Sequence, residues 1–519
     1  MRVSELSGFY FYDLETSGRD PRWHRVLQFA GVRTDRALNP LEEPLVLRGR
    51  LPEEVLPEVD AMRVTGLTPE VVATGCGEAE LADRIAAATG DASLCLCGYN
   101  SVRFDDEFLR FTFYRSLLEP YGRERRGGTR MDLLDLVRAT RALRPDGMQW
   151  PLAHDGLPSS KLVDIAAANG VEHASAHDAG SDVLATIGVA RCLRAAQPRL
   201  FDYAVSLRQR RVSERLLAPG DEPVVHVSGR IPRDRASLAL MTSLGRHPRN
   251  ARGYLVFDLS QDPREYAGLS EDELYRRLFT PGDALEVERL RMKEIRTNRS
   301  PFVAELAAVR SEDALRLGLD VDEAIARHRW LRGRPELVRR LVRAFTRDVF
   351  ESQPSDADAA LYDDLIGDRD QMRALDLRGQ ITRGERGPNS ATLFDDARLR
   401  ALAGRFRARN APQTLDPTER SDWQAFVRQR LEGQPETDAA PARPGREQGG
   451  VSLARFGAAL RIARDEDGDT PLLVSWDHYA AALAARFGLP WPVDARAVVE
   501  PGADAGRSHS PVSTGEDSD

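Results

Sequence analysis

Asp13 and Glu15 stand one residue apart at the end of the aromatic run Gly8-Phe-Tyr-Phe-Tyr-Asp-Leu-Glu-Thr-Ser-Gly18. The run reads as a buried strand, and strand side chains repeat every two residues, so both acids project from one face. Carboxylates held that close repel each other unless a cation lies between them, and a hard divalent metal is the usual solution. Two further stretches offer partners. Asp105 and Asp106 open the apolar, helix-period segment that ends Gly98-Tyr-Asn-Ser-Val-Arg-Phe-Asp-Asp-Glu-Phe-Leu109, and His177-Asp-Ala-Gly-Ser-Asp182 leads into a helical run from Val183 to Leu193. Each element has an ordinary reading as well: strands often end in solvated acids, Asp106 and Asp178 suit the first turn of a helix, and His173 reads as a capping or packing residue. Taken together, four acids and a histidine match a two-metal hydrolase. Carboxylates hold the ions, one ion acidifies a water, and histidine accepts its proton.

The elements that must position these groups are legible. Residues 8 to about 195 alternate strand-like and helical runs, the pattern of an α/β domain. Ser93-Leu-Cys-Leu-Cys-Gly98 reads as a buried strand leading to Asp105. Thr65-Gly-Leu-Thr-Pro-Glu70 reads as a turn and a helix start, with Thr68 as N-cap and Pro69 at the first helical position. From about 200 to 350 the pattern predicts strands at Pro223–Gly229 and Arg252–Leu259 around a loop Gly245–Arg252, then helices over Glu271–Leu278 and Asp322–Val349. A third, helical region begins near Asp356. Gln434–Gly450, rich in Pro, Gly and charge, reads as a linker, Val451–Phe487 regains helical periodicity, and Pro501–Asp519 reads as a disordered acidic tail.

Composition bounds the possibilities. At 519 residues with 41% hydrophobic content, the chain is too long for one ordinary core and should hold two or three domains. No apolar run approaches a bilayer span and Met1-Arg-Val-Ser-Glu-Leu6 lacks a signal-peptide core, so the expected location is the cytoplasm. Cys76, Cys95, Cys97 and Cys192 show no zinc-type pairing and are too few for a disulfide framework. The net charge of −8 argues against a diffusely basic nucleic-acid coat, so any nucleic acid must be held in a local groove. Only Lys161 and Lys293 are lysines; the remaining basic residues are arginines.

The ordered acid and histidine set resembles the DEDD exonucleases, in the branch whose general base is histidine. The motifs Gly98–Asp106, Leu143-Arg-Pro-Asp-Gly147, Ala168-Asn-Gly-Val-Glu-His173, Gln197-Pro-Arg-Leu-Phe-Asp-Tyr203, Val225-His-Val-Ser-Gly229 and Arg407-Ala-Arg-Asn410 with Thr414-Leu415 are similar to the bacterial exodeoxyribonuclease I family. The likeness covers roughly residues 8 to 430. It implies an α/β ribonuclease H-like exonuclease domain at 1–198, an SH3-like α+β domain at 199–352 and a helical C-terminal domain from 353; the match weakens after Gly433, and composition extends that domain to 490 with a linker at about 434–450 and a disordered acidic tail at 491–519.

The resemblance also implies an activity: 3′ to 5′ degradation of single-stranded DNA to 5′-mononucleotides in DNA repair and recombination, using two Mg2+ ions that Mn2+ can replace. It implies metal ligands Asp13, Glu15, Asp105 and Asp182, choosing Asp105 over the fallback Asp106, with His177 as base. Candidate substrate contacts are Glu15, Thr65, Arg103, Arg208, Arg211, Arg246 and Arg249, with Arg210 and Arg252 beside them. A second expected partner is the acidic C-terminal tail of the single-stranded-DNA-binding protein, met by Arg144, Tyr203, Arg310 and Arg332. Glu305 departs from the neutral glutamine expected in that groove, and the expected state is a monomer. Competing readings are an exoribonuclease, a proofreading subunit, and a non-catalytic single-stranded-DNA-binding module.

Overall fold

The computed structural model describes residues 6–173, 178–280, 285, 287–347, 356–388, 390–433 and 449–491. Its first sheet is built from β1 (Gly8–Thr16), β2 (Val26–Asp35), β3 (Leu45–Arg48), β4 (Leu94–Gly98) and β5 (Thr129–Asp132), in the order β3-β2-β1-β4-β5. β1 lies in the middle, antiparallel to β2 and parallel to β4. A central strand covered on both faces has to be apolar on both, which accounts for the aromatic run. Phe9 and Phe11 join the core beneath the helix Ala179–Ala196, whereas Tyr10, Tyr12 and Leu14 join the opposite core with Ile85 and Phe108. Asp13 and Glu15 continue the first of these alternating sets. The period of two therefore aims both acids toward the side on which the helix Ala179–Ala196 lies.

The second sheet comprises β6 (Val224–Val227), β7 (Leu238–His247), β8 (Asn250–Asp258), β9 (Met292–Arg296) and β10 (Phe302–Glu305), ordered β10-β6-β7-β8-β9 and antiparallel throughout. Two expectations are corrected here. Gly245–Arg252 is not a loop: Arg246 pairs with Tyr254 and His247 with Asn250, so only Pro248 and Arg249 form the hairpin tip. The charges that suggested a loop lie on the exposed end of a two-stranded ribbon. The expected helix over Asp322–Val349 is two helices, Val321–Arg332 and Pro335–Thr346, because Pro335 cannot continue a helix but suits the first position of the next. Residues 348 and 349 of that span lie outside the described residues.

The helical region contains Asp368–Thr382, Ala397–Asn410 and Pro417–Glu432, followed by Leu453–Asp467 and Pro471–Arg486. Linker residues 434–448 and tail residues 492–519 lie outside the described residues. Among the described residues, no helix is long and apolar enough to cross a membrane.

Arg409, from the Arg407–Asn410 motif, links this region to the first domain. It donates to Asp358 through both terminal nitrogens at 3.0 Å and to Glu54 through Nε at 2.7 Å. All three side chains are almost fully buried. Burial alone would raise the Asp358 pKa, but Arg409 and Arg405 hold it well below the ordinary 3.8. The contribution is thus present above pH 3.8 and is lost as pH falls toward the depressed value. Arg409→Ala should cost about 3–5 kcal/mol, since it leaves the buried Glu54 carboxylate without its cation and Asp358 with Arg405 as its main remaining one. The exposed Arg386 pair with Asp416 and Glu419 should be dispensable. Thermal unfolding of Arg409→Ala and Arg386→Ala at neutral pH checks this, and equal melting points would refute the assignment.

Candidate metal centre

The centre is assembled by β1 and the N-terminal end of the helix Ala179–Ala196. Asp13, Glu15 and Asp182 bring one carboxylate oxygen each to within 4.8 Å of one another. Asp182 reaches the group because Asp178 starts the helix: its carboxylate caps the Ser181 N–H at 3.2 Å and accepts from Gln28 Nε2 at 3.0 Å. Gln28 is the cross-strand partner of Glu15 in the β1–β2 register. One register therefore places both the acid and the amide that anchors the helix start. Asp178, with an ordinary reading as a helix-start acid, serves as the N-cap.

Burial, followed by the charge of Asp182, pushes the Asp13 carboxyl well above its usual range. Burial and the charges of Asp13, Asp182 and Asp178 raise Glu15 to about 9. Among the described residues, no arginine or lysine pairs with Asp13, Glu15 or Asp182. Three oxygen donors whose mutual repulsion no described arginine or lysine relieves fit a hard divalent ion.

Asp105 is not one of the three, but its carboxyl is raised by burial and next by Asp13. It starts the helix Asp105–Arg115 after a tight connection from β4. Asn100 takes a left-handed φ of 64° there and donates its N–H to Asp132 at 2.9 Å, while Val102 N–H donates to the other Asp132 oxygen at 3.2 Å. Asparagine tolerates that conformation. Gly98 is required by close approach, since a Cβ would lie 2.8 Å from the Tyr12 carbonyl. Asp106 is committed elsewhere: it accepts from Tyr12 Oη at 2.6 Å and pairs with Arg130, and despite burial these contacts and Arg110 hold its pKa low. The choice of Asp105 over Asp106 gains a physical reason.

His177 lies outside the described residues. His173, read from sequence as capping or packing, has its Nε2 against Asp182 Oδ1, and its buried Nδ1 has no hydrogen-bond partner among the described residues. Sequence reasoning missed this pair.

The remaining candidates spread over the surface between domains. Arg103 donates to Ser228 of the second domain at 3.0 Å and lies 3.8 Å from Asp135. Arg208 is half-buried and Arg211 exposed beside it; Arg211 donates to Gln209 at 3.1 Å and Arg210 pairs with Glu214. Arg246 lies over the Tyr254 ring at 5.4 Å on the β7–β8 ribbon, with Arg249 at its tip and Arg252 on β8. Thr65 ends the helix Val59–Thr65, and Thr68 and Pro69 begin the next helix as expected.

The candidate tail contacts also have intramolecular partners. Arg144 and Arg310 both reach Asp313, at 3.0 and 2.9 Å. Tyr203 Oη donates to the Val303 carbonyl at 2.7 Å and its ring meets Phe302 edge-on. Arg332 is exposed at a helix end, and Glu305 is exposed at the end of β10.

Family models described as Exonuclease, Exonuclease I SH3-like domain and Exonuclease I C-terminal domain match residues 10–190, 208–347 and 355–443. The chain is 38% identical to Escherichia coli exodeoxyribonuclease I over 433 residues, covering 82% of this chain and 90% of that relative. It is similar to the exonuclease I structure from Methylocaldum szegediense, with a TM-score of 0.83, 38% identity, and coverage of 92% of this chain and 100% of that one. A zinc-ion-bound E. coli exonuclease I–single-stranded DNA complex gives 0.83 at 33% identity, with the same coverage.

The raised Glu15 pKa carries a stability consequence. Without a cation the folded protein loses stability as pH rises from the ordinary 4.5 toward about 9. At pH 8 with chelator, Glu15→Gln should melt at least about 2 °C above the parent. Added Mg2+ or Mn2+ should raise the parent's melting point more than the variant's. A variant that melts lower with chelator and gains as much from metal would refute the centre.

Proposed function

This chain is an exonuclease of the exodeoxyribonuclease I family, and we propose that it removes 5′-mononucleotides stepwise from the 3′ end of single-stranded DNA. The observation that carries the reading is the convergence of Asp13, Glu15 and Asp182, three mutually repelling carboxylates that, among the described residues, pair with no arginine or lysine. Asp13, Glu15 and Asp182, with Asp105 beside them, would hold two Mg2+ ions, which Mn2+ can replace. The ions, when bound, supply an acidified water and charge stabilisation for the departing oxygen.

The chain's own residues then handle the strand and a proton. His177 is proposed as the base on the family likeness alone: it takes the proton of the attacking water as the water oxygen bonds to phosphorus and the 3′ oxygen leaves. A second reading gives that role to His173, supported by its contact with Asp182. Thr65 is proposed to meet the terminal nucleotide. Arg103, Arg208, Arg211, Arg246 and Arg249 are proposed to hold phosphates without reading bases. Domain limits near 198 and 352, a monomeric state, a cytoplasmic location and a role in DNA repair complete the proposal.

Digestion of end-labelled single-stranded DNA, blunt duplex and RNA with Mg2+ or Mn2+ tests this reading. The single strand should be degraded from its 3′ end and the other two poorly. Release beginning at a 5′ label, or preference for RNA, would overturn it. Asp13→Ala, Glu15→Ala, Asp105→Ala and Asp182→Ala should each lower turnover by about three orders of magnitude or more. His177→Ala should lower kcat strongly while sparing strand binding; if His173→Ala alone does so, the base is His173.

The acidic C-terminal tail of the single-stranded-DNA-binding protein is the proposed protein partner, held by Arg144, Arg310 and Arg332 with Tyr203 lining an apolar site. Tail carboxylates would share Arg144 and Arg310 with Asp313, and Glu305 would oppose them. Fluorescence anisotropy with a labelled tail peptide should therefore give salt-sensitive binding that Glu305→Gln strengthens and Arg332→Ala weakens. Binding indifferent to both substitutions would reject this surface.

A further inference from the structure

The helices Leu453–Asp467 and Pro471–Arg486 lie beyond the 355–443 span of the C-terminal family model. They pack on the exonuclease domain. Leu453, Phe456, Leu460, Leu473, Trp476 and Ala480 share a buried cluster with Leu51, Val55, Leu56, Val59, Met62 and Val72. Leu56 and Val451 form an isolated antiparallel bridge at the base of this contact. The helix pair therefore sits directly against the segment that carries Thr65.

That segment needs support. The helix Val59–Thr65 has only seven residues and its Ncap, Glu58, makes no side-chain capping bond. Gly66 ends it at a left-handed φ of 66°, its N–H reaching the Met62 carbonyl at 2.8 Å. Such short helices do not hold themselves in water and depend on packing. The two peptides that flank Leu67 are each held. The Leu67 N–H donates to Thr65 Oγ1 at 3.4 Å, and the Leu67 carbonyl accepts from Trp476 Nε1 at 2.9 Å. Trp476 is among the most deeply buried large side chains of the protein. A second tie runs over the surface, where Arg63 pairs with Glu466 at 2.9 Å and with Asp467 at 2.8 Å.

We infer that the C-terminal helix pair is the buttress of the Thr65–Leu67 turn, with Trp476 the positioning residue that orients Thr65 for the 3′ end of the strand. The inference rests on the reading above, in which Thr65 meets the terminal nucleotide. The indole fixes the Leu67 carbonyl, and so one side of the Leu67 Cα; the Gly66–Leu67 peptide on the other side, whose N–H occupies the threonine oxygen, is left only the Leu67 backbone torsions to move by. With that lone pair used, the Thr65 hydroxyl proton is left to donate to a phosphate or sugar oxygen. An indole is suited to this: it fills the core and presents a single N–H donor with no acceptor to satisfy. The helix pair thereby sets affinity for the strand.

Trp476→Phe keeps the ring packing and removes the donor. Steady-state digestion of single-stranded DNA by full-length protein should show KM raised about three- to tenfold, the worth of one hydrogen bond, with kcat within about twofold. Hydrogen exchange at residues 65–68 should quicken while the melting point stays near that of the parent. Should Trp476→Phe fold poorly, the surface double variant Glu466→Gln/Asp467→Asn should give the same KM signature at smaller size. The decisive measurement combines Trp476→Phe with Thr65→Ala. If the indole acts through the threonine, the double variant should have the KM of Thr65→Ala alone. Fully additive effects, an unchanged KM in both helix-pair variants, or a defect in kcat alone would overturn the proposal. Inactivity of the parent on single-stranded DNA would instead refute the functional reading on which it rests.

Discussion

Repulsion among acids at the end of β1 is the constraint on which the rest of the structure depends. Asp13, Glu15 and Asp182 converge within 4.8 Å, and the charge of Asp13 adds to burial in raising Asp105. No arrangement of that kind is stable by itself, because burial and like charge both penalise the ionised form. It persists because rigid elements hold each acid in place. β1 is fixed by strands on both sides, Asp105 by a strand-to-helix turn pinned on Asp132, and Asp182 by a helix whose first turn is capped by Asp178 and tied back to β2 through Gln28. Strain of this sort, paid for by the scaffold, is what a cation-binding site requires.

Elsewhere the protein treats buried charge in the opposite way. Asp106 is neutralised by Arg130, Asp313 by Arg144, Arg310 and Arg316, and Asp358 by Arg405 and Arg409. The planar guanidinium, able to meet two carboxylate oxygens at once, suits these pairings, and in a chain with two lysines it supplies nearly all of them. The contrast separates structural acids from the candidate metal ligands. Adjacent residues Asp105 and Asp106 illustrate it: the pKa of one is driven up by burial and then by a neighbouring acid, and that of the other is held down by arginine despite burial.

The same logic joins the domains. Arg409 bridges the helical region to Glu54, Arg103 reaches Ser228 of the second sheet, and Arg299 meets Glu107 at 2.9 Å. Each tie crosses from the exonuclease domain to a neighbour. The helix pair 453–486 adds an apolar contact where the others are polar. The surfaces that surround the acid cluster are thus set by residues far apart in the chain.

The alternation of β1, the start of the helix at Asp105, the Thr68-Pro69 cap and the order of acids along the chain were all local matters, and local periodicity and capping chemistry determined them from the sequence alone. The family likeness was legible for the same reason, since its motifs are short and contiguous. What the sequence left open were choices between equivalent side chains. Asp105 and Asp106 have nearly the same neighbours in sequence, and only the position of Arg130 and Tyr12 in space distinguishes them. The tip of the β7–β8 ribbon read as a loop between two strands, and the pairing that makes it strand is a property of two segments. His173 met Asp182, and Trp476 met Leu67 across 409 residues of chain. Electrostatic and hydrogen-bond partners at such separations are decided by how the packed elements meet, so only the tertiary structure could assign them.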